Sequence, residues 1–110
     1  MRYDILLTGG TVIDPLGNLN DRFDVAITDG QIVDVAKNID PQKAVRTIAV
    51  PGKYVVPGLV DIHAHVYVGV TTWGVAADPV CQTTGVTTIV DAGSSGWATF
   101  PGFSDYIVGP

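Results

Sequence analysis

Glutamate is missing from this chain: its 11 acidic residues are all aspartate. Asp favours turns and caps where Glu favours helix interiors, so the absence points to short strands and tight turns. Basic residues are scarce too. Arg2, Arg22, Lys37, Lys43, Arg46 and Lys53 are scattered, and the net charge is −5. A nucleic-acid surface needs clustered Lys and Arg, so that partner is excluded. A mildly acidic balance suits a soluble cytosolic protein. The single cysteine, Cys81, allows no internal disulfide, and nothing points to an oxidising compartment. No apolar run approaches the roughly 20 residues of a membrane span. The opening Met1-Arg2-Tyr3-Asp4-Ile5 also lacks the apolar core and small-residue cleavage site of a secretory signal. The expected setting is cytoplasmic, with no membrane partner.

What is present is a folded, turn-rich composition: 110 residues, 46% hydrophobic and 15% charged, with 13 Gly and 7 Pro. Residues 1–56 read as a small antiparallel β-sandwich portion. Tyr3 to Thr8 is β-prone, Gly9-Gly10 marks a turn, and Thr11 to Ile13 continues beyond it. Phe23 to Thr28 and Gln31 to Ala36 flank Asp29-Gly30, the preferred two-residue hairpin turn because both positions tolerate positive φ. Thr47 to Val50 and Tyr54 to Val56 add short strands around Pro51-Gly52.

The pattern changes over residues 57–110. Leu59 to Val66 is apolar at both parities, as expected of a strand buried on both faces. Val75 to Thr84 holds a short helix ended by Gly85, with Asp78-Pro79 resembling an N-cap followed by Pro at the first helical position. Val86 to Val90 is a second β-branched strand, and Phe100 to Val108 reads as a second helix. Strand, helix, strand, helix is the grammar of a parallel α/β structure. Two strands cannot close a barrel, and a complete eightfold barrel takes about 250 residues. The expectation is a barrel start, incomplete as given, in a partial or naturally truncated chain.

Both histidines fall in one phrase, Asp61-Ile62-His63-Ala64-His65. Side chains at i and i+2 of a strand share a face, so His63 and His65 point the same way with Asp61 below them. Two imidazoles converging from a rigid strand make half of a zinc or similar divalent site, and Asp61 can orient a ligand from the layer beneath. The plainer alternative is a pair of surface or packed histidines. A second cluster, Asp91 to Gly96, follows the second strand, where parallel α/β folds gather functional groups. Gly93 and Ser94 are candidate substrate contacts through backbone amides able to hold an oxyanion; an ordinary Gly/Ser/Asp loop is the alternative. No Ser-based triad is evident, and Gly93-Ser94-Ser95-Gly96 lacks the Lys of a phosphate loop. Trp73 and Trp97 each follow a strand, where packing is the expected role and lining a pocket mouth the alternative, and Cys81 reads as a buried small hydrophobe in the helix.

Taken together, these segments resemble the amidohydrolase superfamily. Pro57-Gly58-Leu59-Val60-Asp61-Ile62-His63-Ala64-His65 resembles its metal-binding signature, and Gly85 to Asp91 its second barrel strand. Asp4 to Asp14 is similar to its N-terminal β-sandwich strand, and Asp29-Gly30-Gln31-Ile32 to its usual hairpin. Asp91-Ala92-Gly93-Ser94 with Phe100-Pro101-Gly102-Phe103 resembles the amidohydrolase/deacetylase branch, near dihydroorotases and N-acyl amino-acid deacylases. The resemblance implies an α/β fold: a β-sandwich portion built from both chain ends, then the first two βα units of a (β/α)8 TIM-type barrel. It implies one or two zinc or other divalent ions in the full-length protein, held by His63 and His65 with a later Lys, two later histidines and a late Asp. That Asp would be the general base, directing a metal-activated water at an amide, cyclic amide or ester of a small acylated metabolite. All of these later groups would lie beyond residue 110, so the chain alone is expected to be inactive. The competing expectation is a truncated, non-catalytic β-rich module that binds a partner. Its exposed apolar strand edge would favour homo-oligomers.

Overall fold

The computed structural model of the chain describes residues 2–109. It divides into two compact units, one ending at Pro57 and the other beginning at Gly58.

The first unit is one five-stranded sheet of β1 (Tyr3–Asp14), β2 (Leu19–Thr28), β3 (Gln31–Ala36), β4 (Ala44–Ala49) and β5 (Tyr54–Val55). At the β2–β3 hairpin φ is 51° at Asp29 and 72° at Gly30, the two positive values of a type I′ turn. Gly9-Gly10 is not the turn that the sequence suggests. β1 runs straight through it with one extra residue between the Leu7–Val25 and Gly10–Phe23 pairs, a bulge that Gly9 permits at φ 79°. The freed Gly9 amide donates to Asp24 Oδ1 at 3.2 Å. Gly10 answers a different demand: a Cβ there would lie 2.9 Å from a Val55 methyl and 3.0 Å from a Val50 methyl.

The expectation of an antiparallel unit is corrected at two strands. β4 and β5 both pair with β1 in parallel, because the chain crosses from β3 to the far edge of β1 through residues 37–43. Among the described residues this unit also has a single layer. Its core is correspondingly small. Leu6, Val12, Val25 and Ala26 are buried, and Leu6 is the one large side chain with no exposure.

The second unit holds β6 (Leu59–Ala64), α1 (Ala77–Thr84) and β7 (Val86–Asp91), with β6 and β7 parallel. Gly85 ends α1 in the left-handed conformation at φ 78°, the usual glycine stop. Asp78 is not the N-cap. The helix begins two residues earlier, Ala76 precedes it without a side-chain cap, and Asp78 and Pro79 sit in the first turn, whose amides need no helical partner. α2 (Phe100–Phe103) continues as a wider π turn over Ser104–Val108. Beneath α2, the Phe103 ring meets Tyr67 edge-on.

β6 is not buried on both faces: Leu59, Val60 and Ile62 are exposed. Its only strand neighbour among the described residues is β7, and a two-stranded sheet cannot cover both faces as a closed barrel does. The architecture is mixed α/β, mostly strand, with one strand–helix–strand unit.

Candidate metal centre

His63 lies in β6 and His65 immediately after it. The register slips between the Asp61–Ile89 and Ala64–Asp91 pairs, three residues of β6 advancing against two of β7. That bulge re-aims the strand end, as bulges beside functional sites do. The two imidazoles stand with ring centroids 5.7 Å apart and planes at 78°. Convergence on one side of the strand end is what a shared cation needs.

Asp61 acts on the backbone. Its Oδ1 accepts the His63 amide at 3.0 Å, which satisfies a donor the bulge removes from the ladder. It therefore supports His63 through the main chain rather than through an imidazole nitrogen. Trp73 presents an edge to His65, with centroids 6.1 Å apart, and is largely exposed, as is Trp97. The packing role that the sequence suggested for both tryptophans is not what the fold gives them, because loops carry both to the surface.

Asp91, the last residue of β7, organises the loop that faces His65. Its Oδ2 accepts the Val66 amide at 2.9 Å, and its Oδ1 accepts the amides of Gly93 at 3.0 Å and Ser94 at 2.6 Å. Burial pushes the Asp91 carboxyl up. Hydrogen bonds from Val66, Ser94 and Gly93 outweigh it and hold the group down at about 2. The Gly93 and Ser94 amides are thus engaged by Asp91, which closes the oxyanion-holding arrangement that the loop sequence suggests. Ser94 instead turns its side chain toward His65, with Oγ 3.1 Å from Nδ1. The sequence carried a signal for this. An Asp followed two and three residues later by Gly and Ser is a side chain poised to accept its own loop's amides.

The residues present fit two ligands of a metal site. Both His63 and His65 are reachable from solvent, and the contact to Ser94 at Nδ1 leaves Nε2 of His65 open. No group of three or more His, Cys or Asp side chains able to hold a metal occurs among the described residues.

No protein-family model matches the chain. A deacetylase of Brucella anthropi is 38% identical over 76 residues, covering 69% of this chain and 19% of that protein. The solved structure of a dihydroorotase matches at TM-score 0.75 with 30% identity, over 99% of this chain and 28% of that one. The structure of an N-acyl-D-glutamate deacylase from Bordetella bronchiseptica matches at TM-score 0.62 with 28% identity, over 81% of this chain and 18% of that one. That deacylase is complexed with zinc and a phosphonate that mimics the tetrahedral intermediate of its reaction. Other matches bear the names adenine deaminase and D-aminoacylase. The chain spans less than a fifth of the length of the curated deacetylase it matches.

Proposed function

We propose, for a chain that belongs to the amidohydrolase family, that His63 and His65 are two ligands of a catalytic divalent metal, zinc by preference, in a hydrolase of small acylated or cyclic amides. The observation that carries this reading is the pairing of the two imidazoles at the bulged end of β6, centroids 5.7 Å apart. A divalent ion held there supplies Lewis acidity toward a scissile carbonyl and lowers the pKa of water. The chain's own residues do the rest of the local work. His63 and His65 hold the ion, Asp61 fixes the His63 backbone, and Asp91 fixes the backbone that follows His65.

In this reading the remaining ligands and the general base come from outside the segment described, as does the rest of the barrel. A second ion, a cytoplasmic setting, a small-molecule substrate and self-association belong to the same proposal. No helix among the described residues is long and apolar enough to cross a membrane. The alternative, a non-catalytic module that binds a partner, would leave the two histidines without a metal.

Zinc titration of the purified chain, followed by calorimetry, tests the first reading. We expect wild type to bind zinc, and the single variants His63→Ala and His65→Ala to bind at least tenfold more weakly, since removal of one imidazole leaves one ligand. Equal binding by all three proteins would refute it.

A further inference from the structure

Trp73 has no task in the function proposed above, yet the chain fixes the loop that carries it. The Gly74 amide donates to the Thr71 carbonyl at 3.4 Å, closing a four-residue turn in which Trp73 is third. The next amide, of Val75, donates to the carbonyl of His65 at 2.9 Å, so the loop that leaves His65 returns to it. Only glycine admits this path at position 74. A Cβ there would lie 2.7 Å from the Tyr67 carbonyl oxygen and 2.9 Å from Thr71 Oγ1. The result is an indole 6.1 Å from the His65 imidazole, centroid to centroid, with 67% of its surface still in solvent. Both rings belong to the second unit.

We propose that Trp73 is a specificity-determining residue, the apolar wall against which a ring-bearing acyl group of the substrate packs while its carbonyl lies at the metal. The placing of the carbonyl rests on the function proposed above; the apolar contact itself does not. Scattered exposed apolar side chains are ordinary on a protein surface, and position sets this one apart. At 6.1 Å from His65, one small molecule spans the indole and the imidazole. Sites for such molecules are lined by aromatic side chains beside a few polar groups that fix orientation. An indole offers a large rigid surface with only two rotatable bonds to immobilise. A second ring packed on its face or edge gains more than burial alone gives. An acetyl group is too short to cover the indole, so the wall favours aromatic acyl groups over acetyl.

The test uses the purified, zinc-loaded chain and two neutral probes, benzohydroxamic acid and acetohydroxamic acid. They present the same chelating group to the metal, with and without a ring. Calorimetry gives the ratio of their affinities. That ratio should be about threefold to tenfold larger in wild type than in Trp73→Ala, and Trp73→Phe should keep most of the difference. Trp97→Phe should leave the ratio unchanged. It also makes Trp73 the only indole, whose emission benzohydroxamic acid should quench saturably and acetohydroxamic acid should not. The same ratio in wild type and Trp73→Ala overturns the wall and leaves the metal reading intact; a ratio that follows Trp97 instead overturns it equally. If Trp73→Ala does not fold, the Trp97→Phe chain decides, and emission that ignores benzohydroxamic acid overturns the wall. A chain that binds no zinc sinks the metal reading alone. The wall then stands if benzohydroxamic acid still quenches Trp73 saturably without metal, and falls if it does not.

Discussion

Replacing Asp91 with Asn should weaken the second unit by an amount that depends on pH. In the folded chain the Asp91 carboxyl is held at about 2, against an ordinary value of 3.8. Between those values the unfolded chain takes up the proton first. The contribution is therefore whole above about pH 4 and disappears as pH falls toward 2. The span of the shift corresponds to at most about 2 kcal/mol, and screening at a partly exposed carboxylate reduces this to about 1 kcal/mol. Asn keeps one carbonyl oxygen for the Gly93 and Ser94 amides but turns a carboxamide NH2, itself a donor, toward the Val66 amide, so the bond at 2.9 Å is lost. That adds about 1 kcal/mol at any pH. Trp73 and Trp97 are the only tryptophans and both lie in the second unit, so their fluorescence during urea unfolding reports on it. The wild-type minus Asp91→Asn difference should be about 2 kcal/mol at neutral pH and shrink by about half near pH 2. A difference that stays constant over that range would mean that the carboxylate's charge does not hold this loop.

Two further substitutions probe the packing of each unit. Leu6→Ala removes the one large side chain fully buried among the described residues and should cost about 2–5 kcal/mol, measured as a lowered urea midpoint by circular dichroism; a cost below about 1 kcal/mol would show that the first unit's core lies elsewhere. Gly58→Ala sets a methyl against Oγ1, Cγ2 and Cβ of Thr87 and should destabilise the second unit by about 1–3 kcal/mol. Thr87→Gly should relieve part of that penalty in a double-mutant cycle, and strict additivity would contradict the contact.

The sequence was most legible where one short phrase has a single low-energy solution. Asp29-Gly30 admits positive φ at both positions, and the hairpin forms there. Gly85 after a short amphipathic run stops a helix, and it does. Gly9-Gly10 was ambiguous because a turn and a bulge need the same conformational freedom, and only the partner strand decides between them. The direction of β4 was not legible at all. Whether Ala44–Ala49 runs parallel or antiparallel to β1 depends on how residues 37–43 cross the sheet, a non-local choice that no local pattern encodes.

The site divides along the same line. His63 and His65 are two residues apart, so strand geometry brings them together and the sequence shows it. The partner of His65 lies 29 residues away, beyond any periodicity. The loop carrying it has an evident local role for its amides, and the sequence suggested an oxyanion where the fold places a carboxylate. The physical reason is competition. Backbone amides at a strand end must be satisfied, and an aspartate ending the same strand reaches them without closing a long loop. Once Asp91 has taken those amides, Ser94 is held with its backbone fixed, and only its side chain remains to face the histidine. A loop that looks built to bind an oxyanion is instead one whose amides its own aspartate holds, with the Ser94 side chain turned toward His65.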